Sequence, residues 1–335
     1  MATIRDVSKE AGLSIATVSR AISNPEKVSK DSLKKVQKAI DKLQYQPNML
    51  SQKFRNKRSN TIVVLVPNFS NLFFAKVIGG IEDIAQKNGY SVLLGDTRNS
   101  HQRTQDYVNL VETRQADGII QLRPHYEGQS ILPKKNVIAV NAGGCEFTPY
   151  PSVRIDNTDA AEKVISYLID NGHRRIGVIS GMPDNPHTRD RIKGYQKGLA
   201  KAGITFDDSL VTAGDFTLLS GFNAVQHFIQ MPERPTAIFC MNDEMAIGAI
   251  KGLKQQHIQV PQDISVIGFD NLDVSNYCDP PLTTVSQPAV EIGEKAAELL
   301  FQLIHGEQPT QTEYIMPYEF VVRQSTGSCN TRHDK

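Results

Sequence analysis

The sequence lacks the features of a membrane protein, a secreted protein and a disulfide-stabilised protein. It has no Trp among 335 residues, and its longest aliphatic run, Ile62 to Val66, is far short of the ~20 apolar residues of a membrane span. The N-terminus has no basic stretch followed by an apolar one, so no secretory signal is predicted. The four cysteines never approach the spacing of a zinc site or a redox motif; they are Cys145, Cys240, Cys278 and Cys329. We expect a cytoplasmic protein with reduced, mostly buried thiols, no metal, no cofactor and no membrane partner.

A net charge of +1 conceals a strong asymmetry along the chain. Residues 1 to 60 hold 13 Lys/Arg and 5 Asp/Glu, a net +8. The rest holds the remaining 24 of the 37 basic and 31 of the 36 acidic residues, a net −7. A solvated lysine-rich helix would produce the same asymmetry, but a basic head on an acidic body favours a polyanionic partner for the head.

The basic head is predicted to contain three short helices. Thr3 can cap the first with Asp6 three residues later, Gly12 permits a sharp reversal, and Ser14 can cap the second. Ser29 can cap a third helix with apolar residues at 3 and 4 spacing. Two short helices joined by a three- or four-residue turn form a helix-turn-helix, whose second helix enters the major groove of DNA.

The early residues of that second helix would face base edges. Arg20 can donate two parallel hydrogen bonds to guanine, whereas Ile15 and Ala16 offer only apolar contact. The hydroxyls of Ser14, Thr17 and Ser19 suit phosphate oxygens, although helix capping is an equally good interpretation of each.

The head resembles the lactose repressor (LacI/GalR) family in two runs, T-I-R-D-V-S-K-E-A-G-L-S-I-A-T-V-S-R-A-I-S-N and K-L-Q-Y-Q-P-N. The resemblance implies a hinge after Pro47 that becomes helical on the operator and presses an apolar residue into the minor groove. Phe54 stands where the family usually has Leu, and either side chain can kink DNA. Hinge residues expected to contact DNA are Asn48, Gln52, Phe54 and Arg55.

The body alternates short aliphatic strands with amphipathic helices, which predicts parallel sheets with helices on both faces. Strands are predicted at 61–67, 90–96, 117–122, 136–141, 152–156, 174–180, 209–213, 236–241 and 264–269. About 270 residues are too many for one core, so we place a division near Asp156. The fold class is thus an all-α helix-turn-helix head on an α/β body of two doubly wound parallel-sheet lobes.

The resemblance extends through the body in N-G-H-R-R-I-G-V-I-S-G, R-I-K-G-Y, F-C-M-N-D-E-M-A-I-G-A and S-V-I-G-F-D-N. It implies two lobes similar to periplasmic sugar-binding proteins. The expected divisions are 1–46 for the DNA-binding head, 47–59 for the hinge, 60–327 for the effector-binding and dimerisation body, and 328–335 for a tail. Within the body, the N-lobe takes about 60–156 and 289–317, and the C-lobe about 157–288 and 318–327.

Ligands of such sheets bind at the carboxyl ends of strands, in the cleft between lobes. By the resemblance, Arg191 and Asp270 bind effector hydroxyls or polar ring atoms. Asn141 and Asn242 are read as following strands and offering amide groups, while Phe73, Phe74 and Phe216 can wall a pocket or stack on a planar ring. For each aromatic, core packing is an equally good interpretation.

Further details, G-D-F-T, F-C-M-N-D and F-D-N-L-D-V-S-N-Y-C-D-P-P-L-T-T, resemble the cytidine-responsive branch of the family. They imply a transcriptional repressor induced by cytidine or another nucleoside, which controls nucleoside uptake and catabolism genes, and an operator beside a cyclic-AMP-responsive activator. A sugar- or purine-responsive repressor is the alternative. Since residues 326–335 offer no leucine heptad for a tetramer, a homodimer is expected.

Three other classes compete with a repressor. An enzyme fused to a DNA-binding head would need a catalytic constellation, but the body has no G-x-S-x-G, G-x-x-x-x-G-K-[ST] or H-E-x-x-H, and Ser32-x-x-Lys35 lies on an exposed helix. No catalytic residue is therefore predicted. A secreted solute-binding protein is contradicted by the basic head, and a DNA-packaging protein would bind operator and random DNA equally.

Overall fold

A computed structural model of the chain describes residues 2–45, 58–98, 100–122, 137–144 and 150–329. The chain divides into two compact units, a head (Met1–Asn60) and a body (Thr61–Lys335), and each is described by itself. The predicted hinge contacts Asn48, Gln52, Phe54 and Arg55, like Cys145, lie outside the described residues.

The head contains the three predicted helices, α1 (Ile4–Ala11), α2 (Ile15–Ser23) and α3 (Lys30–Leu43). Thr3 and Asp6 form a capping box at α1, and Gly12 ends that helix with a left-handed φ of 62°. Ser14 and Ser29 cap α2 and α3 as expected. All three helices meet in one small core, because their apolar residues recur at helical spacing; its buried members are Val7, Val18, Ala21, Val36 and Ala39.

The first lobe of the body contains β1 (Thr61–Val66), α4 (Leu72–Lys87), β2 (Ser91–Asp96), α5 (His101–Glu112), β3 (Gly118–Gln121), β4 (Ala139–Ala142), β5 (Ser152–Arg154), α10 (Ala289–His305) and β11 (Glu313–Ile315). Its strands form a six-stranded parallel sheet of order β11-β5-β4-β3-β1-β2. Alternate residues of β1 face opposite sides of the sheet. Ile62, Val64 and Val66 join the core under α4 and α10, while Val63 and Leu65 join a second cluster under α5.

The second lobe contains α6 (Asn157–Asp170), β6 (Ile176–Ser180), α7 (Pro186–Lys201), β7 (Val211–Ala213), α8 (Leu218–Ile229), β8 (Ala237–Cys240), α9 (Asp243–Gln255) and β9 (Ser265–Ile267). Its strands form a four-stranded parallel sheet of order β7-β6-β8-β9, which is flanked by two helix pairs, α6 with α7 and α8 with α9. Strands β10 (Thr284–Ser286) and β12 (Glu319–Val321) form an antiparallel pair beside β9.

The two parallel sheets confirm the predicted fold class. Each predicted strand contains an observed one, usually shorter by a few residues, except that β4 extends one residue beyond the predicted end at 141. Strands β10, β11 and β12 had no clear sequence signal. No helix in the described ranges is long and apolar enough to cross a membrane, and those ranges contain no His/Cys/Asp/Glu cluster fit for a metal ion.

Candidate functional site

A cavity of about 770 Å³ lies between the two lobes of the body. It is lined from the carboxyl ends of strands in both sheets, by residues that follow β1, β2, β3, β6, β7, β8 and β9. The start of α4 and the start of α7 complete its walls. This position is the one where open parallel sheets bind ligands, because the loops that leave the strands converge there.

Six of the seven predicted effector residues line this cavity: Phe73, Phe74, Arg191, Phe216, Asn242 and Asp270. The placement of Asn141 after a strand was wrong. Asn141 lies inside β4 and is only 4% exposed, and the cavity is lined by the next two residues, Ala142 and Gly143. Strand β4 continues one residue further than its aliphatic pattern indicated, so Asn141 is held within the sheet.

Arg191 is a buried cation in the floor of the cavity. Its Nε donates to Asn157 Oδ1 at 2.9 Å, its Nη1 donates to the Met241 carbonyl, and its guanidinium lies over the Phe269 ring, 3.5 Å from the centroid. Burial lowers the pKa of Arg191 to about 10, although nearby carboxylates led by Asp270 oppose the shift. The side chain therefore stays charged at neutral pH.

The amide of Asn157 links Arg191 to His187. Since Asn157 Oδ1 accepts from Arg191, its Nδ2 faces His187 Nδ1 at 3.2 Å and donates to it. The imidazole proton then resides on Nε2. Burial, followed by the charges of Arg191 and Arg154, lowers the pKa of His187 to about 3, so the ring is neutral. Sequence reasoning missed both Asn157 and His187, which follow β5 and open α7.

Asp270 combines burial with an unusual backbone. Its φ is 112°, a conformation that a side chain with a Cβ rarely adopts, and such strain concentrates at binding sites. Gln287 Nε2 donates to Asp270 Oδ1 at 2.6 Å. Burial raises the pKa of Asp270 to about 7, partly opposed by the charge of Arg191. A small change in its surroundings can therefore shift this carboxyl between its neutral and charged forms near neutral pH.

Asp243 holds the loop that carries Asp270, a role that the sequence did not reveal. Its Oδ2 accepts from the Leu272 N–H at 2.8 Å and the Ser275 hydroxyl at 2.5 Å, and its Oδ1 accepts from the Thr284 hydroxyl at 2.6 Å. Burial raises its pKa to about 6, and these hydrogen bonds oppose the rise.

The side-chain amide of Asn242 serves the protein itself rather than offering free groups to a ligand. Its Oδ1 caps α9 by accepting from the Met245 N–H at 3.0 Å, and its Nδ2 donates to the Phe216 carbonyl at 2.9 Å. Phe216 has a left-handed φ of 67°, and its ring occupies the space beside Gly181, where a Cβ would come within 2.0 Å of it. Asn242 and Gly181 therefore set the position of this aromatic wall.

The head presents a separate polar surface along α2. Ile15, Ala16 and Arg20 are exposed, and Ser14 both caps the helix and contacts the Thr17 hydroxyl at 2.9 Å. Ser19 is only 7% exposed, and its contact with phosphate stays a prediction. Ser19 and its neighbour Val18 both lie on the side of α2 that packs against the core of the head.

Comparisons with known proteins agree with both sites. Residues 3–48 match bacterial regulatory proteins of the lacI family, and residues 165–326 match a periplasmic binding protein-like domain. The chain is 38% identical over 328 residues to the HTH-type transcriptional repressor CytR of Escherichia coli (strain K12), covering 97% of this chain and 96% of that protein. It is 34% identical to the HTH-type transcriptional repressor PurR of Vibrio atlanticus (strain LGP32), covering 98% and 100%.

A crystal structure of the lac repressor dimer, bound to operator and the anti-inducer ONPF, is similar over 97% of this chain and 99% of that one, with a TM-score of 0.88 and 27% identity. The family match, the relatives aligned over nearly the whole chain and the similar solved structure therefore all indicate the same family. The chain belongs to the lacI family of bacterial regulatory proteins and is a DNA-binding transcriptional repressor of that family.

Proposed function

We propose that this repressor loses its operator when a nucleoside, with cytidine as the first candidate, binds between the lobes of the body. The observation that carries the proposal is a cavity in which aromatic walls and a buried Arg191–Asp270 region occur together. A nucleoside has a flat base and a polar ribose, so it needs both kinds of surface.

The aromatic part of the site suits a base. Phe73 and Phe74 are packed edge to face with centroids 5.8 Å apart at the start of α4, and Phe216 faces the cavity from the other lobe. Rings contributed by both lobes can enclose a planar ligand, and offset or edge-on contacts with it are favourable.

The polar part of the site suits the hydroxyls of a ribose. Asp270 can accept from one hydroxyl, and the Nε2–H of His187 is available as a donor in the tautomer that Asn157 fixes. These groups lie on the second lobe, whereas Phe73 and Phe74 lie on the first. A ligand that contacts both would stabilise one arrangement of the lobes over another, which is the requirement for allosteric control.

The control of DNA is part of the same proposal. Two heads of a homodimer would place Arg20, Ile15 and Ala16 in successive major grooves of a pseudo-palindrome, with Ser14 and Thr17 at the backbone. The predicted hinge residues Asn48, Gln52, Phe54 and Arg55 would occupy the minor groove. By resemblance, the regulated genes serve nucleoside uptake and catabolism, a cyclic-AMP-responsive activator shares the promoter, and the protein works in the cytoplasm, where that DNA is.

A thermal-shift screen of nucleosides, nucleobases and sugars on the full chain tests the ligand class. A ligand at 100 times its Kd stabilises the folded state by about 2.7 kcal/mol, so a specific binder gives a clear rise in Tm. We expect cytidine to raise Tm in the wild type and in Asp106→Asn, which changes an exposed acid on α5, but not in Asp270→Ala. A rise with sugars or purine bases but not with nucleosides would establish the alternative effector class.

Selection of bound fragments from genomic DNA tests the repressor. We expect a preference of roughly 10³ or more for a pseudo-palindromic site over random DNA at physiological salt, reduced by the effector. Allosteric coupling is reciprocal, so the same operator must weaken effector binding by the same factor. Equal affinity for all fragments, or effector binding that ignores the operator, would refute the proposed control.

A further inference from the structure

Asn157 joins two side chains of the cavity that differ in the hydrogen bonds they can make. Arg191 carries only N–H donors, whereas a neutral imidazole has one donor nitrogen and one acceptor nitrogen. Asn157 is the first residue of α6 and is only 2% exposed. Its Oδ1 accepts from Arg191 Nε at 2.9 Å, and its Nδ2 lies 3.2 Å from His187 Nδ1. The opposite orientation of the amide would set its NH2 group against an N–H of Arg191, so the orientation is fixed and His187 Nδ1 must accept.

His187 has one ring nitrogen left for a ligand. The side chain lines the cavity and, unlike that of Asn157, keeps part of its surface exposed. Nδ1 is occupied by Asn157, whereas Nε2 has no hydrogen-bond partner among the described residues. Nε2 also does not belong to the buried polar atoms of these residues that lack a partner, so it keeps accessible surface. The ring atom that can meet an effector is therefore Nε2.

The surroundings of His187 keep its ring neutral, so the tautomer decides what Nε2 can do. Burial, followed by the charges of Arg191 on the same helix and Arg154 at the end of β5, lowers the pKa of His187 to about 3. Above about pH 5 the ring therefore carries a single proton. Because Nδ1 accepts from Asn157, that proton resides on Nε2, which is a donor and not an acceptor.

We propose that Asn157 sets the hydrogen-bond polarity of this site: it holds the His187 proton on Nε2, so the effector atom that meets His187 must be an acceptor. This inference rests on the proposed function and narrows its ligand class. The acceptor is a hydroxyl oxygen, a carbonyl oxygen or an unprotonated ring nitrogen of the nucleoside. An amino group or a ring N–H in this position would bring two donors together and leave both unsatisfied. Asn157 acts through His187 and is a positioning residue.

The tautomer of His187 can be measured on the full chain without a ligand. Correlation of ring protons with ring nitrogens, in protein that carries ¹⁵N-labelled histidine, distinguishes a protonated nitrogen from an unprotonated one. Loss of the signal in His187→Phe assigns it among the eight histidines. We expect the proton on Nε2 at neutral pH. After saturation with cytidine it should remain there and exchange more slowly with water, because the ligand accepts from it. A proton on Nδ1, with or without the ligand, would overturn the inference.

Asn157→Asp inverts the polarity by changing a single group. The carboxylate still accepts from Arg191 Nε but has no donor for His187 Nδ1, so the ring proton should move to Nδ1 and Nε2 should become an acceptor. A neighbouring carboxylate raises the pKa of a histidine by about 1–3, which leaves this ring neutral at pH 8. Calorimetric titration at pH 8 should show cytidine bound about 10- to 100-fold more weakly than by the wild type, because two acceptors then face each other.

Two further variants separate the tautomer from the added charge. Asn223→Asp makes the same change at an exposed position of α8 and should keep both the wild-type Kd and the Nε2 proton. His187→Phe keeps a flat ring but removes both nitrogens, so in this background Asn157→Asp should change Kd by less than about 2-fold. The tautomer of the wild type tests the inference even if a variant fails to fold.

The outcomes distinguish this inference from the proposed function. If no nucleoside binds the wild type, the proposed function is refuted, whereas the position of the ring proton is unaffected. If cytidine binds the wild type and Asn157→Asp equally well at pH 8, the role of Asn157 is overturned while nucleoside binding stands. The same conclusion follows if Asn157→Asp weakens binding as much in the His187→Phe background as it does alone.

Discussion

The head and the body place their polar chemistry in opposite positions. The head carries a net +8 over its first 60 residues and keeps Arg20 exposed on α2, above a core of small aliphatic residues. The body buries charged residues at its cavity: Arg191 is 4% exposed and Asp270 7%. A long polyanion can be bound by a surface, whereas a small ligand is selected only by enclosing it. The body therefore carries buried charge that the head does not need.

The largest expected effect is on the stability of the body when its buried cation is removed. Arg191→Ala takes away the hydrogen bonds to Asn157 and Met241 and leaves Asp270 without its nearest positive charge, which should destabilise the body by about 3–5 kcal/mol. Arg189→Ala, on the same helix but exposed, should change stability by less than about 0.5 kcal/mol. Chemical denaturation followed by circular dichroism measures both, and equal losses would contradict the contrast.

The pH dependence of the body should come next in size. The folded-state pKa of Asp270 is raised from 3.8 to about 7, so the folded protein binds a proton that the unfolded chain has lost. This contribution to stability is present below pH 4 and is lost as pH rises toward 7. At about 1.36 kcal/mol per pKa unit it has an upper bound of about 4 kcal/mol.

Asp270→Asn isolates that contribution, because an amide mimics the neutral carboxyl and can still accept from Gln287. The stability of the variant relative to wild type should rise between pH 4 and 7 and then level off. Denaturation midpoints of both proteins at each pH test this expectation. If the difference in stability between variant and wild type stays constant from pH 4 to 7, the Asp270 carboxyl is not desolvated. The titration of Asp243 is common to both proteins and cancels in the difference.

The same contrast explains how much could be predicted from the sequence. The head is a local structure: Thr3, Gly12, Ser14 and Ser29 act within a few residues of themselves, so its helices and its exposed Arg20 followed from spacing alone.

The cavity is formed by residues that are far apart in the sequence, and only some of them were predicted. The family resemblance identified Asp270, and aromatic residues after β1 and β7 were visible as candidates. However, the partners of Asp243 are about 30 to 40 residues away, at Leu272, Ser275 and Thr284, and Asn157 meets Arg191 across 34 residues. No spacing rule brings such residues together, because the sheet order decides which loops become neighbours.

A change at Arg20 should affect recognition by the head while leaving the body unaltered. Arg20→Ala should reduce discrimination at one base pair of each half-site by about 1–3 kcal/mol. Arg20→Lys keeps the charge but not the two parallel donors, so it should lose discrimination and retain the salt dependence of binding. Competition binding against single-base variants of the operator measures this. A uniform loss across all base changes would assign Arg20 to the phosphate backbone instead.

The smallest expected change in stability lies at an exposed contact between the lobes of the body. Lys76 on α4 donates to Asp273 Oδ1 at 2.7 Å and to the Asn271 carbonyl at 3.3 Å, both in the loop that follows Asp270. Lys254→Met is the matched control, because Lys254 pairs with Asp279 at 2.6 Å within the second lobe alone. Both changes should reduce stability by about 0–1 kcal/mol, since exposed ion pairs contribute little.

Their effects on effector affinity should nevertheless differ. Only the Lys76 pair joins elements that must move relative to each other if the lobes rearrange on binding, so Lys76→Met should change the Kd of the effector while Lys254→Met leaves it unaltered. Calorimetric titration of the two variants compares them directly. If both bind the effector as the wild type does, the Lys76 contact is retained in every state that the effector selects, and the lobes do not separate at this point during induction.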